Sequence, residues 1–145
     1  MTIGKKPSLI KPTINTPFYI DFDWWKSHDH NWRVYLRSFM CLPHQKEYFE
    51  QQLIEPIDAV DPHTGEVTIV DAVEYILLSH CVKQDDFLTD YTTIVNSVFR
   101  VFISNNNSPL SPAQLSSITG KPAETILRTL TGVQVYKGIR PVPVK

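Results

Sequence analysis

The chain of 145 residues is poor in the features that mark secreted and membrane-spanning proteins. Its two cysteines are too few for a disulfide framework, and they are better explained as thiols or metal ligands. No run approaches the roughly 18 to 20 apolar residues that cross a bilayer. The lysines near the N-terminus are not followed by an apolar stretch, so we expect no signal peptide. These absences predict a cytoplasmic protein with no membrane partner.

The sequence also lacks the short motifs of common enzymes. None of its five glycines belongs to a phosphate-binding loop, and there is no serine elbow or Cys-His nucleophile pattern. The carboxylates between residues 55 and 74 have no spacing typical of general acid-base catalysis. We therefore do not expect an enzyme. A small metalloenzyme ranks below the two binding functions that are described for the C-terminal part.

What the chain has is enough apolar material for a folded core, since 42% of its residues are hydrophobic and 11% aromatic. Residues 1–17, with three prolines and three lysines, are predicted to form an extended arm. Residues 18–87 are predicted to form a helical unit with a β-hairpin over 57–70, where alternating apolar residues flank a turn at 61–65. Residues 88–145 form the last domain. The predicted class is α+β, mainly α.

Three helices are predicted in the helical unit. Asp23 is the predicted N-cap of a helix over residues 24–40, and Pro43 suits the first turn of a helix to about residue 54. Asp71 is the predicted cap of the third helix. The shared apolar face predicted for this third helix comprises Ala72, Tyr75, Ile76 and His80.

The charge of the chain is unevenly distributed, although the total is only −1. Residues 1–89 carry 8 basic and 13 acidic side chains, whereas residues 90–145 carry 6 basic and 2 acidic ones. Ten carboxylates and two lysines lie between Lys46 and Asp86. This asymmetry favours a polyanion as the partner of the C-terminal part, and chance fluctuation in short segments is the alternative.

The C-terminal part shows three helices followed by a hairpin. A broad apolar stripe predicts a helix over 90–104, ended by the asparagines at 105–107. Ser111 and Gln114 form a capping box for a short helix that ends at Gly120, and Pro122 opens another helix to residue 130. Strands are then predicted at 133–136 and 139–142, around a tight turn at 137–138.

Residues 108–130, which read SPLSPAQLSSITGKPAETILRTL, resemble the two central helices of the winged helix-turn-helix family. The resemblance covers about residues 88–145. It implies that the helix over 122–130 lies in a DNA major groove and that the turn at 137–138 is a wing on the DNA backbone. The nucleic-acid-binding residues that it implies are Lys121, Thr125, Arg128, Thr129, Lys137 and Arg140.

The side chains of this surface suit that role in part. Arginine contacts guanine bidentately, threonine meets bases or phosphates, and a lysine at a helix start suits a phosphate. Glu124 departs from the pattern because it repels the DNA backbone unless it contacts a cytosine. We expect a transcriptional regulator or nucleoid-type factor that binds double-stranded DNA. The alternative is an interaction or scaffold subunit whose winged helix binds a protein. Under either hypothesis, the acidic N-terminal part would mediate a homodimer or a protein contact.

Both cysteines have a histidine nearby in sequence. Cys41 and His44 have the two-residue spacing of zinc knuckles, and His80 and Cys81 follow later at the end of a predicted helix. Adjacent residues on a helix diverge by about 100°, so both can bind one ion only if the helix ends there. These residues suit a Cys2His2 or Cys2His site that would hold one structural zinc ion. The alternative is a pair of buried thiols with a packed or capping His80.

Two weaker candidates remain in the N-terminal part. His28 and His30 flank Asp29 like metal ligands, but alternate residues of a helix face apart, so an exposed polar helix face is the preferred interpretation. Trp24, Trp25 and Trp32 suit base stacking, but a core role is expected for two of the three.

Overall fold

The computed structural model describes residues 11–50, 56–88, 93–132, 135 and 137–143. The fold is α+β and mainly helical with two small antiparallel sheets, which confirms the predicted class. In chain order the elements are β1 (Phe18–Ile20), α1 (Phe22–His28), α2 (Trp32–Arg37), α3 (Leu42–Glu50), β2 (Ile57–Val60), β3 (Val67–Val70), α4 (Ala72–Ser79), a 3₁₀ helix (Cys81–Lys83), α5 (Ile94–Ser104), α6 (Pro112–Thr119), α7 (Ala123–Leu130) and β4 (Ile139–Pro141). None of the described helices is long and apolar enough to cross a membrane.

Contacts divide the chain into two units. Residues 30–87 form one, called here the central unit, and residues 1–29 with 88–145 form the other, called here the terminal unit. Residues 18–29, which were predicted to belong with the helical unit, therefore pack with the C-terminal helices. The physical reason is burial, since Phe18 and Trp25 are almost completely excluded from solvent and Trp25 meets Phe99 of α5 edge-on at 5.4 Å.

The first helix is shorter than predicted, so the prediction of a single helix over 24–40 is wrong. Backbone angles at Asp29 are extended, and its carboxylate accepts a hydrogen bond from Trp25 Nε1 at 3.0 Å. The N-cap is Asp21 rather than Asp23, because Asp21 Oδ1 accepts the Trp24 backbone N–H at 3.1 Å. Helix α2 begins only at Trp32, in the central unit.

The sheet of the terminal unit is built around the N-terminal strand. β1 pairs antiparallel with β4, with Ile20 opposite Ile139, and Phe18 forms a bridge with Leu110. The Asn107 side chain makes two 2.8 Å hydrogen bonds to the backbone N–H and C=O of Ile20. The strand predicted at 133–136 lies outside the described residues except for position 135, so the described partner of β4 is β1.

The two short helices predicted between residues 111 and 130 are present. Ser111 and Gln114 make the capping box, Pro112 is the first residue of α6, and Gly120 ends that helix in the left-handed conformation at φ 77°. Pro122 is the N-cap of α7. Asn106 and Asn107 also adopt positive φ after α5, as predicted for the end of that helix.

The core of the terminal unit lies under α5, α6 and α7. α5 buries six residues, including Phe99 and Phe102, while Leu115 of α6 and Ile126 of α7 are completely buried. Ile118, predicted to share a face with Leu115, is half-exposed. These helices therefore form one apolar cluster beneath the surface that α7 presents to solvent.

The central unit contains the predicted hairpin. β2 and β3 pair antiparallel with Ile57 opposite Val70, and Asp61 Oδ1 accepts the backbone N–H of His63 in the turn. Asp71 caps α4 through the Glu74 backbone N–H. The helix from Pro43 begins at Leu42 and is described to Glu50.

The face that α4 buries differs from the predicted one. Ala72, Val73 and Leu77 are its buried residues, whereas Tyr75 and His80 are exposed. Val73 and Leu77 lie four residues apart and therefore share a face that packs inward. This places His80 toward solvent at the C-cap rather than in the core.

Candidate functional sites

Three of the four predicted metal ligands, Cys41, His44 and His80, come together in the central unit, and the Cys81 sulfur lies beside Cys41 and His44. Cys41 immediately precedes α3 and His44 lies in its first turn. His80 is the C-cap of α4 and Cys81 begins the 3₁₀ helix, so α4 ends at Ser79 and neither residue of the adjacent pair lies within it. The break in the helix removes the angular obstacle to adjacent ligands.

Two of the three sulfur and nitrogen distances in this group fall in the range expected around a tetrahedral zinc ion, and the third is shorter. Cys41 Sγ lies 3.1 Å from His44 Nδ1, and Cys81 Sγ lies 3.5 Å from Cys41 Sγ and 3.7 Å from His44 Nδ1. Zinc bonds of about 2.0 to 2.3 Å place tetrahedral ligand atoms about 3.3 to 3.8 Å apart. Ligand atoms of Cys41, His44 and His80 all lie within 4.8 Å of one another. This cluster could hold a metal ion.

Burial increases across the cluster from His80 to Cys81. His80 is exposed, Cys41 and His44 are half-buried, and Cys81 is only 1% exposed. Burial raises the pKa of the Cys81 thiol to about 11. A hydrogen bond with the Cys41 backbone opposes this increase, and the Cys41 side chain adds to it. A metal ion therefore has to displace a proton from this sulfur when it binds.

One residue that the sequence analysis missed positions the Cys41 loop. The Gln45 side-chain Nε2 donates hydrogen bonds to the carbonyl oxygens of Ser38 and Met40, and the Gln45 backbone N–H donates to the Cys41 carbonyl at 2.9 Å. These bonds fix the turn between α2 and α3 that carries the first thiol. A glutamine in an ordinary helix start gives no sequence signal for this role.

The second histidine candidate does not form a ligand group. The His28 ring stacks on Trp24 at 4.2 Å, and its Nδ1 lies 2.7 Å from the Trp24 carbonyl oxygen. Asp29 accepts the Trp25 indole N–H. The contacts of His28 and Asp29 are therefore those of a helix end.

Of the predicted nucleic-acid residues, Thr125, Arg128 and Thr129 lie on the outer side of α7, and Lys121 lies just before that helix. Arg128 is exposed, and Lys121, Thr125 and Thr129 are half-buried. The Thr129 hydroxyl donates to the Thr125 carbonyl at 2.8 Å, which holds that side chain along the helix. This outer side, together with exposed Glu124, is called here the α7 face.

The two predicted wing residues differ in their surroundings. Lys137 and Gly138 form the tight turn, with φ of 49° and 77°. Arg140 has an ion pair with Asp21 at 3.4 Å, and its guanidinium lies 5.3 Å from the centre of the Trp24 ring. A DNA phosphate would therefore compete with Asp21 for Arg140. Because Asp21 and Arg140 are 119 residues apart in sequence, their ion pair could not be predicted from local sequence patterns.

A groove between α2 and α3 is a further surface feature of the central unit. It has a volume of about 400 Å³ and both apolar and cationic walls. The residues that line it are Val34, Arg37, Ser38, Leu42, Gln45 and Lys46. Leu42 is 78% exposed, so apolar surface is available there.

Comparison with protein-family models, curated proteins and solved structures finds no match to this chain. Proposals about the metal cluster and the α7 face therefore rest on the chemistry and geometry of their residues.

Proposed function

We propose that the central unit binds one zinc ion through Cys41, His44, His80 and Cys81. The observation that carries this proposal is the set of sulfur and nitrogen distances between 3.1 and 3.7 Å that join Cys41, His44 and Cys81. Two thiolates and two imidazoles are a ligand set that zinc prefers. His80 would supply the fourth ligand, because one of its ring nitrogens lies within 4.8 Å of the ligand atoms of Cys41 and His44.

The zinc ion would be structural. Four protein ligands leave no open position for a water or a substrate, which a catalytic zinc requires. The ion would join the start of α3 to the end of α4, two segments that are 40 residues apart at the cysteines. Such a link contributes directly to folding, because the unfolded chain has no preformed site.

Metal analysis of the protein purified without an affinity tag tests this proposal. We expect about one zinc per chain, with Cys41→Ser and His80→Ala reducing both the zinc content and the melting temperature. His63→Ala is the matched control, because His63 is an exposed histidine in the turn between β2 and β3 of the same unit. Metal-free protein whose melting profile is unchanged by Cys41→Ser would falsify the zinc site.

A second proposed function is the binding of double-stranded DNA by the terminal unit. The observation that favours it is the α6–α7 arrangement, in which the left-handed Gly120 joins two helices and α7 buries Ile126 and Leu130. The opposite α7 face then presents Arg128 to solvent. A short helix held in this way can enter a major groove while its neighbour contacts the DNA backbone.

The distribution of charge supports this second proposal only modestly. Residues 90–145 carry 6 basic and 2 acidic side chains, which is favourable but modest for a DNA-binding surface. Glu124 at the exposed start of α7 opposes phosphate contact. A transcriptional regulator or nucleoid-type factor of this kind would bind weakly as a single chain and more tightly as a dimer, which doubles the number of cations.

Fluorescence anisotropy on random duplex DNA tests the second proposal. Arg128→Ala should weaken binding by about 1 to 3 kcal/mol, and Glu124→Gln should strengthen it. Lys83→Ala, which removes an exposed cation from the central unit, is the matched control for net charge. The logarithm of the affinity should fall with the logarithm of salt concentration by about 0.9 per phosphate contact.

Equal losses from Arg128→Ala and Lys83→Ala would contradict a DNA contact at the α7 face, as would an affinity that does not depend on salt. A protein partner would then be favoured. The α2–α3 groove supports that alternative because exposed Leu42 and Val34 lie beside Arg37 and Lys46, a surface suited to an apolar segment with acidic flanks.

A further inference from the structure

The two cysteines of the metal cluster are also a pair of sulfur atoms in contact. Cys41 Sγ and Cys81 Sγ lie 3.5 Å apart. A disulfide bond of about 2.05 Å would form after an approach of about 1.5 Å. The sequence contains no third cysteine, so each thiol has only the other as a partner within the chain.

We propose that Cys41 and Cys81 form an oxidation site, at which a peroxide converts the thiol pair to a disulfide and thereby expels the metal ion. The release of the ion rests on the proposed zinc site. Disulfide formation needs only the two sulfur atoms, so this part of the proposal stands without zinc.

The unequal burial of the two sulfurs sets the order of the reaction. Cys41 is half-buried and can meet hydrogen peroxide, whereas Cys81 is 1% exposed. The Cys41 sulfur attacks one peroxide oxygen, the O–O bond breaks, and a sulfenic acid and one water are formed. The Cys81 sulfur then attacks the Cys41 sulfur, the S–O bond breaks, and the hydroxyl leaves as a second water with the Cys81 proton.

Atoms and electrons balance in this sequence. Two thiols and one hydrogen peroxide give one disulfide and two waters, and the peroxide accepts the two electrons that the sulfurs lose. When both sulfurs are zinc-bound thiolates, two protons come from solvent and Zn²⁺ leaves. His44 and His80 would be the remaining ligands, and two imidazoles without thiolates do not make a structural zinc site.

Burial of Cys81 does not prevent the second step. Its sulfur already contacts the sulfur that it must attack, and no solvent molecule has to enter between them. The new bond would join the start of α3 to the 3₁₀ helix that directly follows α4, so it would connect nearly the same parts of the chain as the ion. Oxidation therefore exchanges a metal link for a covalent one.

The test treats the full chain, zinc-loaded and chelator-stripped, with hydrogen peroxide. Intact mass should show the loss of two hydrogens in both forms, and dithiothreitol should restore them. A chromogenic zinc indicator should report one ion released for each disulfide in the loaded form. Peptide mapping should place the bond between Cys41 and Cys81 of one chain.

Two variants test the order of attack. Cys81→Ser should accumulate a sulfenic acid on Cys41 that dimedone labels, whereas Cys41→Ser should label at Cys81 at least about tenfold more slowly, because accessible thiols react first. Equal labelling rates would overturn the order. The wild-type mapping stays decisive for the disulfide if either variant fails to fold.

The outcomes separate the two proposals. If the disulfide forms but the protein never binds zinc, the zinc site is contradicted and the oxidation site is supported. Zinc binding with oxidation to sulfinic acids, or with disulfides only between chains, would overturn the oxidation site and leave the zinc site standing.

Discussion

The two units of the chain differ in how much apolar surface they bury. Among the described residues, nine of the twelve largest fully buried side chains belong to the terminal unit, and all four aromatic ones do. The central unit contributes Leu36, Val73 and Leu77. Aromatic side chains each bury a large apolar area, so the terminal unit has the stronger hydrophobic stabilisation.

The central unit leaves apolar side chains in water instead. Leu42 is 78% exposed and Ile69 is 76% exposed, while Val60 and Val67 form an exposed cross-strand pair on the hairpin. A unit of this size is commonly stabilised by a metal ion or a covalent link. The Cys/His cluster lies in this smaller unit, which buries fewer large aromatic side chains than the terminal unit among the described residues.

Removal of the proposed zinc ion should give the largest difference in amide protection between the two units. Treatment with a strong chelator should increase amide hydrogen exchange in α4 and the 3₁₀ helix toward that of unfolded chain, because the proposed ion holds the end of α4. Amides of α5, α6 and α7 should keep their protection.

Mass-spectrometric hydrogen exchange measures both units in one sample. The control is Cys41→Ser, in which the chelator should have no additional effect. Equal loss of protection in the two units would contradict a separate dependence of the central unit on the ion, because it would mean that the units unfold together.

Truncation of the largest core residue should have the next largest effect. Trp25→Ala removes a completely buried indole that contacts Phe99 and should lower the free energy of unfolding by about 3 to 5 kcal/mol. Trp25→Phe should cost less because it leaves a smaller cavity. Urea denaturation measures the loss.

Zinc content measured on the folded variant sharpens this test, because the four proposed ligands all lie in the central unit. It should stay at the wild-type level. A variant that folds but has lost its zinc would show that the two units depend on each other.

The sequence is most informative where a local rule fixes the outcome. The capping box at Ser111, the left-handed Gly120 and the hairpin turn at 61–65 depend on neighbours within a few residues, and each prediction is confirmed. The grouping of Cys41, His44 and His80 could be predicted because each of the two cysteines of the chain has a histidine close in sequence. The helix break that the adjacent pair requires is present at His80.

Long-range contacts account for what the sequence does not show. The predicted helix over 24–40 stops at Asp29, and the residues before that break belong to the terminal unit because Trp25 packs on Phe99. The ion pair of Arg140 with Asp21 likewise joins the two ends of the chain. Periodicity and capping rules describe one segment at a time, so neither contact has a signal in them.

A pair of glycine substitutions compares the units at matched backbone conformations. Gly138 in the terminal unit and Gly65 in the central unit have φ of 77° and 74°. An alanine Cβ at position 138 would lie 2.7 Å from Trp25 Cβ and 3.0 Å from the Asp21 carbonyl oxygen, whereas nothing lies within 4 Å of one at position 65. Both alanines cost about 1 kcal/mol of backbone strain, and Gly138→Ala adds about 1 to 3 kcal/mol of overpacking.

Chemical denaturation of the two glycine variants gives the difference directly. We expect Gly138→Ala to be the more destabilising of the two. Equal effects would mean that the β4 turn shifts away from α1 without cost, and the close packing of Trp25 would then contribute little to the stability of the terminal unit.

The smallest expected effect on stability is at the α7 face, where a core and a surface residue lie two positions apart. Ile126 is completely buried, so Ile126→Ala should cost about 2 to 5 kcal/mol in unfolding free energy. Arg128 is exposed, so Arg128→Ala should change the unfolding free energy by no more than about 0.5 kcal/mol. Thermal and urea unfolding of the two variants measure this contrast. A large loss of stability from Arg128→Ala would show that its side chain supports the fold, and any weakening of DNA binding by the same change could then no longer be assigned to a lost contact with DNA.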